Sequence, residues 1–360
     1  MRRQALVGRD LPAIGSGDVS LALSASRGVD RREVERALHA TLTAGLLLID
    51  IAAETDAERL VGEAIRSLRL RDASVVATKV PAIAERAGVT TRDVLPERLP
   101  VGYLQEQVEG TLRALRLDAI PLAQLPVRPR WRSSSAWPEV VGTCERLQRE
   151  GKVLAWGAIV DDADVADEEL IPLTAEPWLV ALQLTYSICA RAGEPLMAAA
   201  LERKLTVLAR RPLAGSALAG NLGPGVRLTP RDDRNVLDTP ALEKVAVEAA
   251  RLAPLVRTEP PAPRSCDAAR EVRERGRRPD HVEADTLGEL ALRFVLDRGC
   301  VPLPRLHRAE HVLPAFVAVM APPLTAGLIA RIRDEKPVAA PVELSSKAKN
   351  SKTAKSTTPR

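Results

Sequence analysis

The strongest constraint on this chain is a regular alternation of short apolar runs with longer segments of helical periodicity. Seven runs have the length and the β-branched or aliphatic character of buried strands: 46–49, 74–80, 119–125, 153–160, 179–184, 205–209 and 300–303. Helical spacing of apolar residues occupies the stretches between them: 56–68, 103–115, 139–150, 194–204, 240–252 and 286–298. Strands that alternate with helices predict a parallel sheet with helices packed outside it.

Closing seven or eight such units into a ring predicts an α/β fold of the (β/α)8 TIM-barrel type, and 360 residues are enough for it. The apolar pattern alone does not identify the eighth strand. A doubly wound open sheet is the alternative, but no Gly-x-Gly-x-x-Gly follows an early strand, which disfavours its dinucleotide-binding form. Residues 127–138 and 254–285 are expected to form long loops at the mouth of a barrel.

A series of short motifs also indicates a protein family. In chain order they are Leu11-Pro-Ala-Ile-Gly-Ser-Gly17, Gly45-Leu-Leu-Leu-Ile-Asp50, Glu58-Arg-Leu-Val-Gly62, Ala77-Thr-Lys79, Leu112-Arg-Ala-Leu-Arg-Leu-Asp118, Glu150-Gly-Lys-Val-Leu-Ala-Trp-Gly157, Gln183-Leu-Thr-Tyr-Ser and Arg211-Pro-Leu-Ala-Gly. In order and spacing, over about residues 8–335, the chain resembles the aldo-keto reductases, which are NADPH-dependent oxidoreductases. The resemblance implies a barrel over residues 1–335 with an N-terminal β-hairpin, followed by a disordered Lys-rich tail at 336–360.

The resemblance also implies a catalytic arrangement, and this sequence departs from it. The family uses an Asp and a Lys to tune a Tyr that protonates the carbonyl oxygen, and a His that orients the substrate. Asp50 and Lys79 match the first two positions, whereas Pro126 stands at the His position. No Tyr stands at the Tyr position, where Glu54 or Thr55 falls instead. A Thr hydroxyl has too high a pKa for this role, and a Glu beside Lys79 would ionise.

The cofactor positions are altered in the same way. Gln183, a carboxamide contact in the family, is retained, and Arg211 and Leu213 occupy the loop after the sixth strand. In the phosphate loop Arg305 replaces a Gly, which adds a side chain where backbone must approach phosphate. Arg305 and Arg308 are the residues there that can offer charge to a phosphate. NADP is therefore the implied cofactor, with several of its contacts missing.

These observations leave three functional interpretations. The first is an aldo-keto reductase-like protein without carbonyl reductase activity, which acts as a binding, regulatory or scaffolding subunit for an unidentified ligand or protein. The second is an active NADPH-dependent reductase of aldehydes or ketones in which Glu54, with a pKa raised by burial, donates the proton. The Asp50–Lys79 pair accordingly reads as a structural remnant, as a catalytic pair with a new acid, or as a ligand-binding pair.

The third interpretation concerns the C-terminus. Residues 345–360 contain four Lys, one Arg and no acid, so these five cations account for the net charge of +5. Such a composition predicts disorder and, as the sharper alternative to a solubilising extension, weak salt-sensitive contact with a polyanion. Four widely spaced cysteines without a Cys-x-x-Cys pair predict reduced thiols and no metal site. With no signal or membrane segment apparent, a cytoplasmic location is expected.

Overall fold

A computed structural model describes residues 1–19, 30–53, 55–83, 93–215, 217–219, 239–256 and 284–333. Within these residues the strands are β1 (Arg3–Leu6), β2 (Arg9–Pro12), β3 (Leu48–Asp50), β4 (Val75–Lys79), β5 (Leu122–Val127), β6 (Trp156–Val160), β7 (Leu179–Thr185), β8 (Thr206–Arg210) and β9 (Val301–Leu303). All seven strands that the apolar runs predict are present, in the predicted order. The tail at 336–360 and Glu54 lie outside the described residues.

Helices follow the strands as the periodicity predicts. They are α1 (Arg31–Thr43), α2 (Thr55–Ser67), α3 (Leu95–Arg98), α4 (Val101–Leu115), α5 (Pro129–Arg132), α6 (Trp137–Arg149), α7 (Glu194–Glu202), α8 (Thr239–Leu252), α9 (Leu287–Asp297), α10 (Val312–Met320) and α11 (Ala326–Arg333). Short 3-10 turns occupy Glu168–Ala175, Ala217–Ala219, Ala253–Leu255 and Ala309–His311. None of the described helices combines the length and the apolarity that crossing a membrane requires.

The strands β3 to β9 form one parallel sheet in sequence order, each paired with the next. A parallel sheet in chain order with helices between its strands is the arrangement of a (β/α)8 barrel, so the predicted fold class is confirmed. The strands are buried on both faces; β6, for example, has five buried residues in succession. This explains why they read as continuous apolar runs in the sequence.

The ring is completed by a segment that the apolar pattern did not identify as a strand. Ser16 N donates to Leu48 O at 2.8 Å and Asp50 N donates to Ser16 O at 2.8 Å, which joins the segment to β3. On the other side Gly15 N donates to Pro302 O at 3.1 Å and Gly17 N to Pro304 O at 2.8 Å. Residues 15–17 therefore bridge the first and last strands of the sheet and fill the eighth position.

The N-terminal β-hairpin that the resemblance implies is confirmed. The strands β1 and β2 pair with each other over residues 3–12, so the hairpin ends before the Gly15–Gly17 bridge rather than containing it. Leu6 and Leu11 of the hairpin pack into the interior of the sheet beneath the inward-facing residues of the strands, among them Leu48, Val75, Ala77, Leu122, Ala181, Leu208 and Val301. The hairpin therefore closes the floor of the barrel.

The described thiols fit the expectation of reduced, sheltered cysteines. Cys144 and Cys300 are buried, Cys189 is half-buried, and all three are free. Burial raises the pKa of Cys189 and of Cys300 to about 12, so neither is a thiolate at neutral pH. Cys266 lies outside the described residues.

A buried carboxyl in the helical layer gives a pH-dependent prediction. Glu58 on α2 is 3% exposed and accepts a hydrogen bond from Thr111 Oγ1 at 2.6 Å. Burial raises the pKa of Glu58, and the Thr111 hydrogen bond offsets only part of this shift. The folded state binds this proton more tightly than the unfolded state does. The free energy of unfolding therefore falls as the pH rises above the ordinary pKa of a carboxyl group.

We therefore expect Glu58→Gln to raise the free energy of unfolding at neutral pH, with the gain disappearing in mild acid. Urea denaturation of the wild-type and Glu58→Gln proteins, at neutral pH and in mild acid, measures this difference. Glu63→Gln is the control, because Glu63 lies on the same helix and is exposed. A less stable Glu58→Gln protein at neutral pH would show that the ionised carboxylate is stabilising.

Candidate functional site

An ion pair lies in the interior of the barrel, where two neighbouring strands end. Asp50 is the last residue of β3 and Lys79 the last of β4, and Lys79 Nζ donates to Asp50 Oδ1 at 2.7 Å. The ammonium also donates to Ile51 O at 2.9 Å. Asp50 is 2% exposed. The two residues that the sequence pairs are therefore brought together, at the carboxyl ends of the strands where barrel sites form.

Two buried amides complete the environment of Asp50. Gln183 Nε2 on β7 donates to Asp50 Oδ1 at 2.9 Å, and Gln124 Nε2 on β5 approaches the same oxygen at 3.4 Å. Both glutamines are fully buried. One carboxylate oxygen thus contacts an ammonium and two amide groups, which give this buried side chain a counter-charge and hydrogen-bond partners.

The carboxylate fixes the orientation of both amides. Only an NH2 group can donate to Asp50, so the carbonyl oxygen of each glutamine must point elsewhere. Within the described part of the chain, Gln124 Oε1 and Gln183 Oε1 are buried and accept no hydrogen bond. Space for Gln124 comes from Gly157 on β6, where an added Cβ would lie 3.1 Å from Gln124 Cγ. The absence of a side chain at Gly157 therefore leaves room for the side chain of Gln124.

No phenol is available to the ion pair. The chain has two tyrosines, and both are described. Tyr186 follows β7 and faces outward, donating from its OH to Glu194 Oε1 at 2.8 Å and stacking on Phe294 at 6.0 Å. Tyr103 lies on α4 in the helical layer. Burial raises the pKa of Tyr186, with a further contribution from Glu194, so its phenol is a weak acid held away from the site.

The position that the family fills with His is part of the barrel wall. Pro126 lies in β5 and its register partner is Ile159 of β6, so the strand continues without a functional side chain at this point. Of the four histidines, His39 lies on α1, and His307 and His311 pack edge-to-face with ring centres 4.7 Å apart. His281 lies outside the described residues.

A second polar network, which the sequence did not predict, crosses the mouth above β6, β7 and β8. Asp162 Oδ1 accepts from Thr185 Oγ1 at 2.5 Å and from Arg210 Nη2 at 3.3 Å. Asp162 Oδ2 accepts from Arg211 Nη1 at 2.5 Å. Arg210 Nη2 also donates to Val160 O at 3.0 Å, so its guanidinium reaches across β7 to the end of β6.

The segment after β5 differs from the loop that its composition predicts. Residues 129–132 form α5, and Trp137 already begins α6. Trp131 is buried, and the Arg128 guanidinium lies 5.5 Å from the centre of its ring. Asp93 pairs with Arg128 at 2.9 Å and also with Arg98 and Arg130. Prolines at the first turn of each helix and this arginine cluster hold the segment against the rim.

The residues that the resemblance assigns to a dinucleotide lie at several places around the mouth. Arg211 is held by Asp162, as described above, and Leu213 is half-buried against the apolar clusters. Arg308 pairs with Glu33 at 3.5 Å and with Glu310 at 3.8 Å. Arg305 lines a small, shallow cleft together with Ser16, Gly17, Val19, Val34, Leu38, Leu306 and His307.

In this arrangement the residues do not fit a tightly held NADPH. Arg308, one of the two cations expected at the phosphates, pairs with carboxylates of the chain itself, and so does Arg211 in the loop after β8. One N–H of the Gln183 amide is used by Asp50, which leaves its carbonyl oxygen and at most one N–H for a carboxamide. Each of these contacts would have to be replaced at an energetic cost before a dinucleotide could bind.

Sequence reasoning missed Gln124, Asp162, Arg210 and Glu33. A signal existed for Gln124, since it is the one strongly polar residue in the otherwise apolar run Leu122–Val127. Asp162, by contrast, lies in an acidic stretch that reads as a solvated loop, and only the three-dimensional structure shows that two arginines meet it.

Comparison with known proteins agrees with this architecture. A model of the Aldo/keto reductase family matches residues 13–335. The methylglyoxal reductase YeaE of Escherichia coli (strain K12) is 31% identical over 221 residues, which are 60% of this chain and 68% of that protein.

Solved structures with little sequence identity share the fold. The holo form of aldo-keto reductase AKR11C1 from Bacillus halodurans matches 95% of this chain and 99% of its own, with a TM-score of 0.65 and 22% identity. Glycerol dehydrogenase AKR11B4 from Gluconobacter oxydans matches 93% and 94%, with a TM-score of 0.67 and 20% identity. An aldo/keto reductase from Klebsiella pneumoniae in complex with NADP and acetate matches 90% of each chain, with a TM-score of 0.56 and 22% identity.

Proposed function

The chain belongs to the aldo/keto reductase family, and on this premise we propose that it binds a small molecule in the barrel mouth without reducing carbonyl groups, in a regulatory or scaffolding role. One observation carries the proposal. The Asp50–Lys79 pair is intact, yet neither tyrosine of the chain contacts it: Tyr186 is bonded to Glu194, and Tyr103 lies on α4. The frame of the family is retained while its proton donor is missing.

Lys79 is a poor replacement for that donor. Carbonyl reduction needs a group that gives a proton to the developing alkoxide as hydride arrives. Lys79 Nζ already donates to Asp50 Oδ1 and to Ile51 O, so two of its three hydrogens are directed to groups of the protein itself. The pair is therefore better suited to hold charge in place than to exchange a proton, which supports a binding role.

The direct test of this proposal is NADPH oxidation with methylglyoxal and a panel of other aldehydes and ketones. Methylglyoxal is included because the Escherichia coli relative is named as its reductase. We expect no turnover above the rate without protein. Enzyme-like turnover would overturn the proposal. In that case loss of turnover in Glu54→Gln, with substrate binding retained, would identify Glu54 as the displaced acid.

We also expect weak NADP binding, in part because Glu33 pairs with Arg308. The Arg308–Glu33 pair is partly exposed, and breaking such a pair costs little. We expect Glu33→Gln to remove one of the two carboxylates that pair with Arg308 and to tighten NADP binding about twofold to fivefold, as measured by calorimetric titration. Glu35→Gln is the matched control, since Glu35 lies on the same helix and pairs with Arg31 instead.

An unchanged affinity in Glu33→Gln would mean that Arg308 does not contribute to nucleotide binding. Tight binding by the wild-type protein would contradict the expectation more broadly, because the chain's own carboxylates would then present no obstacle.

A further inference from the structure

Arg210 is placed to present a positive charge to the barrel mouth. It is the last residue of β8 and the register partner of Thr185 on β7. Leu208, two residues earlier, packs in the barrel interior. Side chains two residues apart on a strand share a face, so Arg210 also enters on the inner side. From there it reaches across β7 to Val160 O and Asp162.

Among the residues that the structure describes, the network around Arg210 carries an excess of positive charge. Two guanidiniums, those of Arg210 and Arg211, share the single carboxylate of Asp162. Arg210 Nε is buried and donates no hydrogen bond within the described part of the chain. A buried N–H of a charged group without an acceptor is costly. An anionic oxygen placed at this point would accept that hydrogen bond and balance the remaining charge.

Buried acceptors lie one layer deeper in the barrel. Gln183 is the register partner of Leu208, so it stands two residues below Arg210, which corresponds to about 6.6 Å along the strands. Its carbonyl oxygen and that of Gln124 accept no hydrogen bond from the described residues, because Asp50 holds both NH2 groups. These oxygens would accept from a hydroxyl group.

We infer that the mouth of the barrel is a site for a small hydroxy-carboxylate, with the carboxylate on Arg210 and a hydroxyl group directed toward Gln183 and Gln124. This ligand class specifies the binding role proposed above and rests on it. A guanidinium N–H and two amide oxygens, one layer apart, have no hydrogen-bond partner among the described residues. Together they favour a molecule that carries both an anionic group and a hydrogen-bond donor a few bonds from it.

The test is calorimetric titration of the full-length protein, without NADPH, against three probes of similar size. Glycerate carries both groups, propionate carries only the carboxylate, and glycerol carries only the hydroxyls. We expect glycerate to bind, propionate to bind about tenfold more weakly, and glycerol to show no binding in the same range. Equal binding of glycerate and glycerol, or no binding of glycerate, would overturn the inference.

A substitution at Arg210 then tests whether the carboxylate of the ligand binds there. We expect Arg210→Gln to weaken glycerate binding about tenfold or more, whereas Arg203→Gln should leave it unchanged. Arg203 is exposed and precedes β8, at the opposite end of the strand, so it controls for the loss of one positive charge. Glycerate binding by Arg210→Gln at wild-type affinity would refute the assignment.

Circular dichroism checks the fold of each variant. If Arg210→Gln does not fold, the comparison of the three probes on the wild-type protein decides the question. Because these titrations contain no cofactor, their outcome is independent of any reductase activity, so failure of the ligand assignment and failure of the proposed function give different results.

Discussion

Replacing Asp50 by Asn is expected to lower the free energy of unfolding by about 3–5 kcal/mol, the range measured when one partner of a buried ion pair is removed. The Asp50 carboxylate accepts from Lys79 at 2.7 Å and from Gln183 at 2.9 Å, and it is almost inaccessible to water. Asn would leave the ammonium of Lys79 without a counter-charge and would offer the glutamine amides a neutral carbonyl oxygen, which is a weaker acceptor than a carboxylate.

A double-mutant cycle with Lys79→Met measures the coupling energy between Asp50 and Lys79 separately from their other contacts. We expect the double variant to lose less stability than the sum of the two single variants, since no unpaired charge remains in it. Urea denaturation of the four proteins provides the energies. Asp10→Asn is the control, because Asp10 pairs with Arg3 on the surface and should contribute less than about 1 kcal/mol.

Additive losses in the cycle would show that Asp50 and Lys79 are not coupled. A loss below about 1 kcal/mol in Asp50→Asn, equal to that of the surface control, would show that water screens the pair.

The second large effect is expected at the closure of the barrel. In Gly17→Ala the new Cβ would lie 2.3 Å from Leu303 O, a backbone atom that cannot move without breaking the closure of the sheet. We expect a loss of about 3 kcal/mol in the free energy of unfolding, at the upper end of the cost of overpacking a rigid site.

Gly102→Ala is the matched control for this prediction. Gly102 lies on α4 with nothing within 4 Å of an added Cβ, and Ala is the better helix former, so a small gain is expected. Thermal or urea denaturation measures both variants. A Gly17→Ala protein as stable as the wild type would show that the segment at residues 15–17 is not a fixed part of the ring.

The segments that sequence reasoning placed well are those whose burial leaves a strong pattern. Each of the strands β3 to β9 is almost entirely buried and therefore reads as an apolar run in the sequence. The bridge at residues 15–17 has only a Ser between two Gly, so its role in closing the sheet comes from backbone hydrogen bonds and leaves no apolar signature.

The polar part of the site was predictable only in part, for a related reason. Asp50, Lys79 and Gln183 were identified through family motifs, and the structure places them in contact. Asp162 and Glu33 act through ion pairs with residues that follow distant strands, and nothing local marks which arginine an acid will meet. Their contacts decide how much charge the mouth can offer to a ligand, so the electrostatics of the site required the three-dimensional structure.

The most direct test of the central claim is a hydride-transfer experiment with methylglyoxal and NADPH deuterated at the transferable position. Mass spectrometry of the products detects even a slow reaction, because one deuterium is incorporated for each transfer. If the barrel has lost its proton donor, deuterated product should not exceed that formed without protein. Deuterated product that increases with protein concentration over many turnovers would contradict the claim and show that another group supplies the proton.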